Sequence, residues 1–233
     1  MVASGPSLLT FEGGTHNPHA PPFEFIEKSF LPLVNRTGPT VTVELERYGF
    51  YPPGGGRFSV YVEPGGEARR LDVVERGVVL SERARALCVN LRADIGEREL
   101  KVVAEQMGFT LDQLQLDVSD NAISPGNVLT VEIESEHLTE VFTGVAQRGV
   151  RAEEVAARAV EEAKRYLETG APVGEHLADQ LLIPLALASG GSYTTGPLSA
   201  HTTTNIEVVR KFLPVEITTT QLTEDVWKVE VSV

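Results

Sequence analysis

Two alternating runs, Thr40 to Tyr48 (TVTVELERY) and Arg57 to Glu63 (RFSVYVE), flank the stretch Gly49-Phe50-Tyr51-Pro52-Pro53-Gly54-Gly55-Gly56. Alternation with a period of two satisfies a strand with one covered face, so the pair predicts a hairpin with a long glycine-rich turn. The triple glycine also invites a phosphate cradle. It lacks the Lys-Ser/Thr ending of a P-loop and the strand-to-helix setting of a dinucleotide fingerprint, and the turn reading is preferred.

Around this hairpin the chain mixes strand and helix patterns, which predicts an α/β (α+β) fold in which strand-helix-strand-strand groupings recur. Ser7 to Phe11 reads as a strand, and the Gly- and Pro-dense loop Glu12 to Pro22 follows. Pro21-Pro22 is a natural helix start, with Phe23, Ile26, Phe30 and Val34 at helical spacing and Pro32 expected to kink or end the helix. The same prolines with Phe25 also suit one wall of a flat slot for a base.

Gly65-Gly66 breaks the pattern, and from Leu71 the composition shifts toward Arg, Glu and Val. Three pieces are therefore expected, residues 1–70, 71–168 and 169–233, the middle one a compact α/β unit; a family resemblance carried by motifs across the chain makes that unit a smaller inserted domain and the other two pieces parts of one large domain. Within the insert, Ala84 to Leu91, Leu111 to Val118, Asn127 to Ser135 and Leu138 to Val145 read as strands, and Ala93 to Met107 as a helix. A long helix from Ala152 to Leu167 carries Val155, Ala159, Ala163 and Tyr166 on one face. Its charges, Arg158 and Glu162 among them, fit a solvated face with i,i+4 pairing. Glu132 and Glu134 alternate with Val131 and Ile133, which places them on the exposed side of a strand rather than in a metal cluster.

The stretch from Gly174 to Ile206 is the most informative for chemistry. Leu177, Leu181, Leu182, Leu185 and Leu187 form an apolar stripe at helical spacing, with Asp179 and Gln180 near its start. Ser189-Gly190-Gly191-Ser192 reads as a small-residue loop that lets backbone approach a ligand closely. Ile206, Val209 and Phe212 with Leu213 predict a second helix, ended by Pro214, so His201 falls near a helix N-terminus. There the dipole favours an anion and disfavours imidazolium, and a neutral imidazole beside a bound phosphate is able to attack phosphorus. Taken alone, His201 is better read as a cap or a hydrogen-bonded residue among threonines than as a nucleophile. Val215 to Thr220 and Val226 to Val233 then read as two strands closing a sheet.

Composition limits the partners. The 233 residues are 42% hydrophobic, enough for one good core or two smaller ones. With 20 Lys and Arg against 33 Asp and Glu, the net charge of −13 disfavours a broad nucleic-acid-coating face and leaves room for recognition of a single end by a few arginines. No apolar run reaches the length of a membrane span and the first residues lack a signal-peptide pattern, so the expected location is the cytoplasm. The single Cys88, in ALCVNL, reads as a buried strand residue.

Four stretches together resemble the RNA 3′-terminal phosphate cyclase family: GGTHNPHAPP (Gly13 to Pro22), RYGFYPPGGG (Arg47 to Gly56), GEHLADQLLIPLALASGGSYTT (Gly174 to Thr195) and SAHTTTNIEVVRKFLP (Ser199 to Pro214). The resemblance implies an ATP-dependent enzyme that converts an RNA 3′-phosphate end to a 2′,3′-cyclic phosphate through a histidine–AMP intermediate and an RNA-adenylate. It makes His201 the nucleophile. It makes His176, Leu177, Ala178, Asp179 and Gln180 the nucleotide-binding stretch, with Pro21 and Phe25 as the opposite wall of the base slot. It implies ATP with a divalent metal, Mg or Mn, as cofactors, RNA 3′-phosphate ends as partners, and no membrane. Where the family has tyrosine this sequence has His176, a smaller ring, so weaker or pH-dependent adenine affinity is expected.

The resemblance further implies that relatives carry roughly a hundred more residues before this sequence begins, the size of one repeat unit, with an EGGGQ motif whose glutamate helps bind metal. On that reading the chain comprises two units and the insert, and an uncovered sheet edge favours self-association. Two alternatives to an active enzyme accompany the resemblance: a non-catalytic relative acting in RNA processing or ribosome assembly, and an inactive fragment.

Overall fold

A computed structural model describes residues 5–18 and 20–233, so His19 of the Gly- and Pro-rich loop lies outside the described residues. β1 (Ser7–Gly13) leads through that loop into a helical run made of α1 (Phe23–Phe25), a π-helical turn (Ile26–Phe30) and α2 (Leu31–Arg36). Next come β2 (Thr40–Arg47) and β3 (Gly56–Glu63), the hairpin predicted by alternation, and β1 completes a three-stranded antiparallel sheet in the order β1-β3-β2. After β4 (Leu71–Val73), a second sheet is built from β5 (Val79–Val89), β6 (Leu114–Ser119), β7 (Gly126–Ser135) and β8 (Thr139–Val145), in the order β6-β5-β7-β8. α3 (Ala93–Met107) and α4 (Ala152–Thr169) pack on one another and on this sheet.

The chain then runs through α5 (Glu175–Leu187), β9 (Gly191–Thr195), α6 (Ala200–Phe212), β10 (Glu216–Gln221) and β11 (Trp227–Ser232). The third sheet has the order β10-β11-β9-β4. Its strands β9, β10 and β11 repeat the arrangement of β1, β2 and β3: in each case the first strand pairs with the third and the second lies outside. The strand-helix-strand-strand grouping thus recurs in this mixed α/β architecture, while the β5–β8 sheet keeps its first strand in the middle.

Burial explains the α5 placement. Leu177, Leu181, Leu182 and Leu185 are each at most 1% exposed and meet Tyr193, Ile217, Val229 and Val231 from the third sheet and Phe25 and Leu33 from the first helical run. At about 2 kcal/mol per buried leucine, this stripe is the main glue between the two. A separate core joins Ala84, Leu129, Val131 and Ile133 to Val103 of α3 and Ala156, Ala159 and Ala163 of α4. Cys88 is fully buried in β5.

Four local expectations are corrected. The small-residue loop at Ser189–Ser192 is a tight turn into the buried strand β9: a Cβ on Gly191 would sit 2.0 Å from the Leu71 carbonyl oxygen, so this glycine admits β4 rather than a ligand. Pro32 does not end its helix. The widened turn before it, closed by the Leu31 N–H on the Ile26 carbonyl, accommodates the ring and its missing N–H. Glu132 is 5% exposed rather than solvated, because the π-helical turn covers the second face of β7 and Lys28 pairs with it there. Phe212 is 80% exposed at the last turn of α6, leaving Ile206 and Val209 as its buried contacts.

Two of the motif stretches are joined by backbone: Thr15 and His16 N–H groups donate to the Gly49 carbonyl at 2.9 and 3.0 Å. His16, fully buried and stacked on Phe50, places Nε2 2.7 Å from Glu24 Oε2. Arg85 of β5 donates to the other Glu24 oxygen at 3.1 Å and to Asp117 at 2.6 Å. Burial pushes the Glu24 carboxyl up, yet the His16 hydrogen bond and charge, with Arg85, hold it below the ordinary carboxylate value. Removing one member should strand a buried charge. Arg85→Met is expected to lower stability by ~3 kcal/mol in urea titrations, and by clearly less when Glu24→Gln is already present. Equal losses in both backgrounds would show that the two side chains are not coupled.

Candidate active site

α5 starts at Gly174, whose N–H donates to Glu140 Oε1 of β8 at 2.6 Å. With Leu177 and its partners facing the core, the opposite side of the first turns shows Glu175, His176, Asp179 and Gln180 to solvent or to a cavity. Tyr193 of β9, fully buried, donates its hydroxyl to the Ala178 carbonyl at 2.7 Å and locks the helix from behind.

α6 is capped by Ser199, whose Oγ accepts from Thr202 N–H at 3.1 Å, so His201 is the second residue of the helix and is exposed. One turn further, Asn205 donates to Asp179 Oδ1 at 2.8 Å and to the Asp179 carbonyl at 3.2 Å. The Asn of the SAHTTTN stretch thus ties the helix bearing His201 to the helix bearing His176. Asp179 Oδ2 accepts from Gln180 at 3.2 Å. Each carboxylate oxygen keeps a second lone pair for a hydroxyl donor.

These elements enclose a cavity of about 550 Å³. Pro21, Phe25, His176, Asp179, Gln180 and His201 all line it. Six residues singled out from three distant stretches are therefore brought together. Leu177 and Ala178 are not: they are 0% and 1% exposed in the core, and what they give the site is the placement of their neighbours. Among the described residues no group of three or more His, Cys, Asp or Glu side chains is arranged to hold a metal ion. The donor set present does not fit a resident Mg or Mn, and no step below is routed through one.

β8, the segment after it and α4 supply further wall, including Thr143, Gln147, Val155, Arg158 and Glu162. Arg158 does pair with Glu154 four residues earlier, at 2.6 Å, as expected of a solvated face. Both Arg158 and Glu162 nevertheless belong to the cavity. The missed signal was spacing: Val155, Arg158 and Glu162 fall at i, i+3 and i+7, one stripe of the helix. Burial raises the Glu162 carboxyl, opposed by nearby His176 and Arg165.

A smaller cavity of about 270 Å³ shares Phe25, Val141, Glu162 and His176 with the first, and Glu140 lines it. Glu140 is 2% exposed and no basic side chain pairs with it; burial pushes its carboxyl up to about 8 against the opposing Gly174 N–H bond. It therefore holds the start of α5 as a neutral acid at pH 7.

The fold is mixed α/β, and the site is a cavity at the junction of its sheets with a histidine at a helix start. Residues 1–219 match the RNA 3′-terminal phosphate cyclase family. The chain is 46% identical over 230 residues to the RNA 3′-terminal phosphate cyclase of Ectopseudomonas mendocina and 44% identical over 230 residues to that of Pseudomonas fluorescens, covering 99% of this chain and 67% of each relative. Against the protein of that name from Koribacter versatilis it is 43% identical over 215 residues, 92% of this chain and 61% of the relative. This chain belongs to the RNA 3′-terminal phosphate cyclase family and spans about two thirds of the length of these relatives.

Glu140 gives a pH test. A carboxyl raised in the folded state stabilises fully below its unfolded value, about 4.3, and that stability is lost as pH climbs through about 8. Glu140→Gln, which keeps an acceptor for Gly174, should flatten the fall of melting temperature between about pH 5 and 8. Glu140→Leu should cost ~1–3 kcal/mol at all pH values through the orphaned N–H. Parallel wild-type and Gln curves would place the titration elsewhere.

Proposed function

We propose that this chain carries out ATP-dependent conversion of an RNA 3′-phosphate end to a 2′,3′-cyclic phosphate, with His201 as the nucleophile. The observation that carries the reading is the meeting of His201 with Pro21, Phe25, His176 and Asp179 around one cavity, together with membership of the family. On this reading His176, Pro21 and Phe25, which line the same cavity, make the slot for adenine, and Asp179, held by Asn205, accepts from a ribose hydroxyl.

In the first step a ring nitrogen of His201 attacks the α-phosphorus of ATP, forming a P–N bond while the P–O bond to pyrophosphate breaks. An oxygen of the RNA 3′-phosphate then attacks that phosphorus and the P–N bond breaks, giving RNA-adenylate. Finally the adjacent 2′-hydroxyl attacks the 3′-phosphorus, loses its proton, and displaces AMP. Splitting one hard displacement into exchanges of similar energy is the gain from covalent catalysis. Mg or Mn, which we propose enters with ATP, would supply charge neutralisation at the pyrophosphate; no residue of this chain is assigned to hold it.

Both alternatives, a non-catalytic relative and an inactive fragment, make the same opposite forecast. Incubated with α-labelled ATP and Mg or Mn, the chain is expected to become labelled in an acid-labile, alkali-stable bond, and His201→Ala to take up none. Label retained by the alanine variant, or no label on the wild type, would sink the proposal. His176→Tyr should lower the KM for ATP several-fold, since a phenol ring adds stacking area worth ~1 kcal/mol; a higher KM would exclude His176 from the base slot. We extend the proposal to self-association: β1 ends its sheet with Leu8, Leu9 and Phe11 exposed, an edge suited to a second copy of the chain.

A further inference from the structure

Every phosphate-bearing ligand in the proposed reaction meets an electrostatic difficulty here. The wall of the large cavity carries three carboxylates, Glu162, Glu175 and Asp179, in a chain of net charge −13. Against them stands one guanidinium. Arg158 is the only Lys or Arg among the described residues that line this cavity.

Its position suits a phosphate rather than a base. Glu162, one turn further along the same stripe of α4, lines both cavities together with His176 and Phe25. Val155, one turn in the other direction, packs against Gly144, with its carbonyl 2.7 Å from where a Cβ on that glycine would lie. Arg158 therefore stands on the cavity-lining stripe of α4 about one helical turn, about 5.4 Å, from Glu162, which lines the cavity beside His176 and Phe25. The guanidinium is also available. Its partner Glu154 is an exposed i,i+4 residue, their side chains 49% and 58% exposed, and such pairs are worth only about 0.3–0.5 kcal/mol. A dianionic phosphate offers the same fork of donors a stronger, bidentate partner.

We propose that Arg158 is the phosphate-holding residue of this cavity, exchanging Glu154 for the phosphate of an entering ligand. The inference rests on the functional reading above for the identity of that ligand, whose phosphate belongs either to ATP or to the RNA 3′ end. It adds a residue from the inserted helix, read from sequence as part of a solvated face, to the positioning machinery. The exchange also gives Glu154 a role: it competes with the ligand for the guanidinium.

Binding measured without chemistry tests this independently of His201. With this chain, fluorescence anisotropy of a 3′-phosphorylated against a 3′-hydroxyl oligoribonucleotide, and calorimetry of ATP against adenosine, report two phosphate preferences. At least one should exceed about fivefold in the wild type, and Arg158→Ala should reduce that preference about tenfold or abolish it. Arg158→Lys should restore part of it, and Glu154→Gln should strengthen it by removing the competitor. Loss in the RNA pair assigns the residue to the RNA end; loss in the ATP pair assigns it to the nucleotide. Preferences unchanged in Arg158→Ala, or a wild type that prefers phosphate in neither pair, would overturn the proposal. Failure of His201 to take label would instead overturn the functional reading and leave these binding ratios standing.

Discussion

A carboxylate with almost no water around it governs how the first sheet meets the second. Glu24 is 5% exposed, and removing such a charge from water costs several kcal/mol unless its partners repay it. His16 reaches it from the loop after β1 and Arg85 from the middle strand of the next sheet. Neither partner alone engages both oxygens. The loop, the hairpin turn at Gly49 and Phe50, and β5 are consequently fixed relative to one another, and Phe25, adjacent in sequence to Glu24, is held at the cavity with them.

The opposite wall uses a second buried carboxyl in the opposite charge state. Glu140 faces no cation, so burial wins and the group stays protonated near neutral pH while still accepting from Gly174 N–H. A neutral acid is the cheaper solution where the donors are backbone N–H groups, those of Gly174 and Val141, and no cation. Both walls are thus positioned by long-range polar contacts, 61 residues apart in the chain for Glu24 and Arg85 and 34 for Glu140 and Gly174. Apolar packing of the α5 leucines sets how far into the molecule that helix sits, and these contacts set where its first turn points.

Much of this was legible in the sequence, and the gaps have physical causes. The hairpin, α3, α4, α5 and α6 announce themselves by period, and the meeting of Pro21, Phe25, His176, Asp179 and His201 follows from the resemblance of four ordered stretches. β4 and β9 were hidden, since the three residues of β4 are too few to show alternation and the five of β9 are Gly, Ser and Thr around one Tyr. Glu132 was misplaced, and the place of the exposed Arg158 at the cavity missed, for a shared reason. Local pattern shows which face of an element is polar, whereas the part of that face another element covers depends on tertiary packing. Glu140 and Gly174 left no trace, because a lone glutamate in an alternating strand has the same appearance whether it faces solvent or a helix end.

The helix start at His201 combines the requirements of the site in one place. Ser199 satisfies the N–H of Thr202 with its side chain and that of Thr203 with its carbonyl, leaving those of Ala200 and His201 without intrahelical partners. Those two donors and the positive end of α6 favour negative charge beside the imidazole. In a cavity otherwise edged by carboxylates, this helix end and Arg158 are the two features that attract an anion, and they stand on different elements. On the proposed reading, a phosphate drawn to both would lie between the histidine and α4, the arrangement that transfer from one phosphoryl acceptor to the next requires.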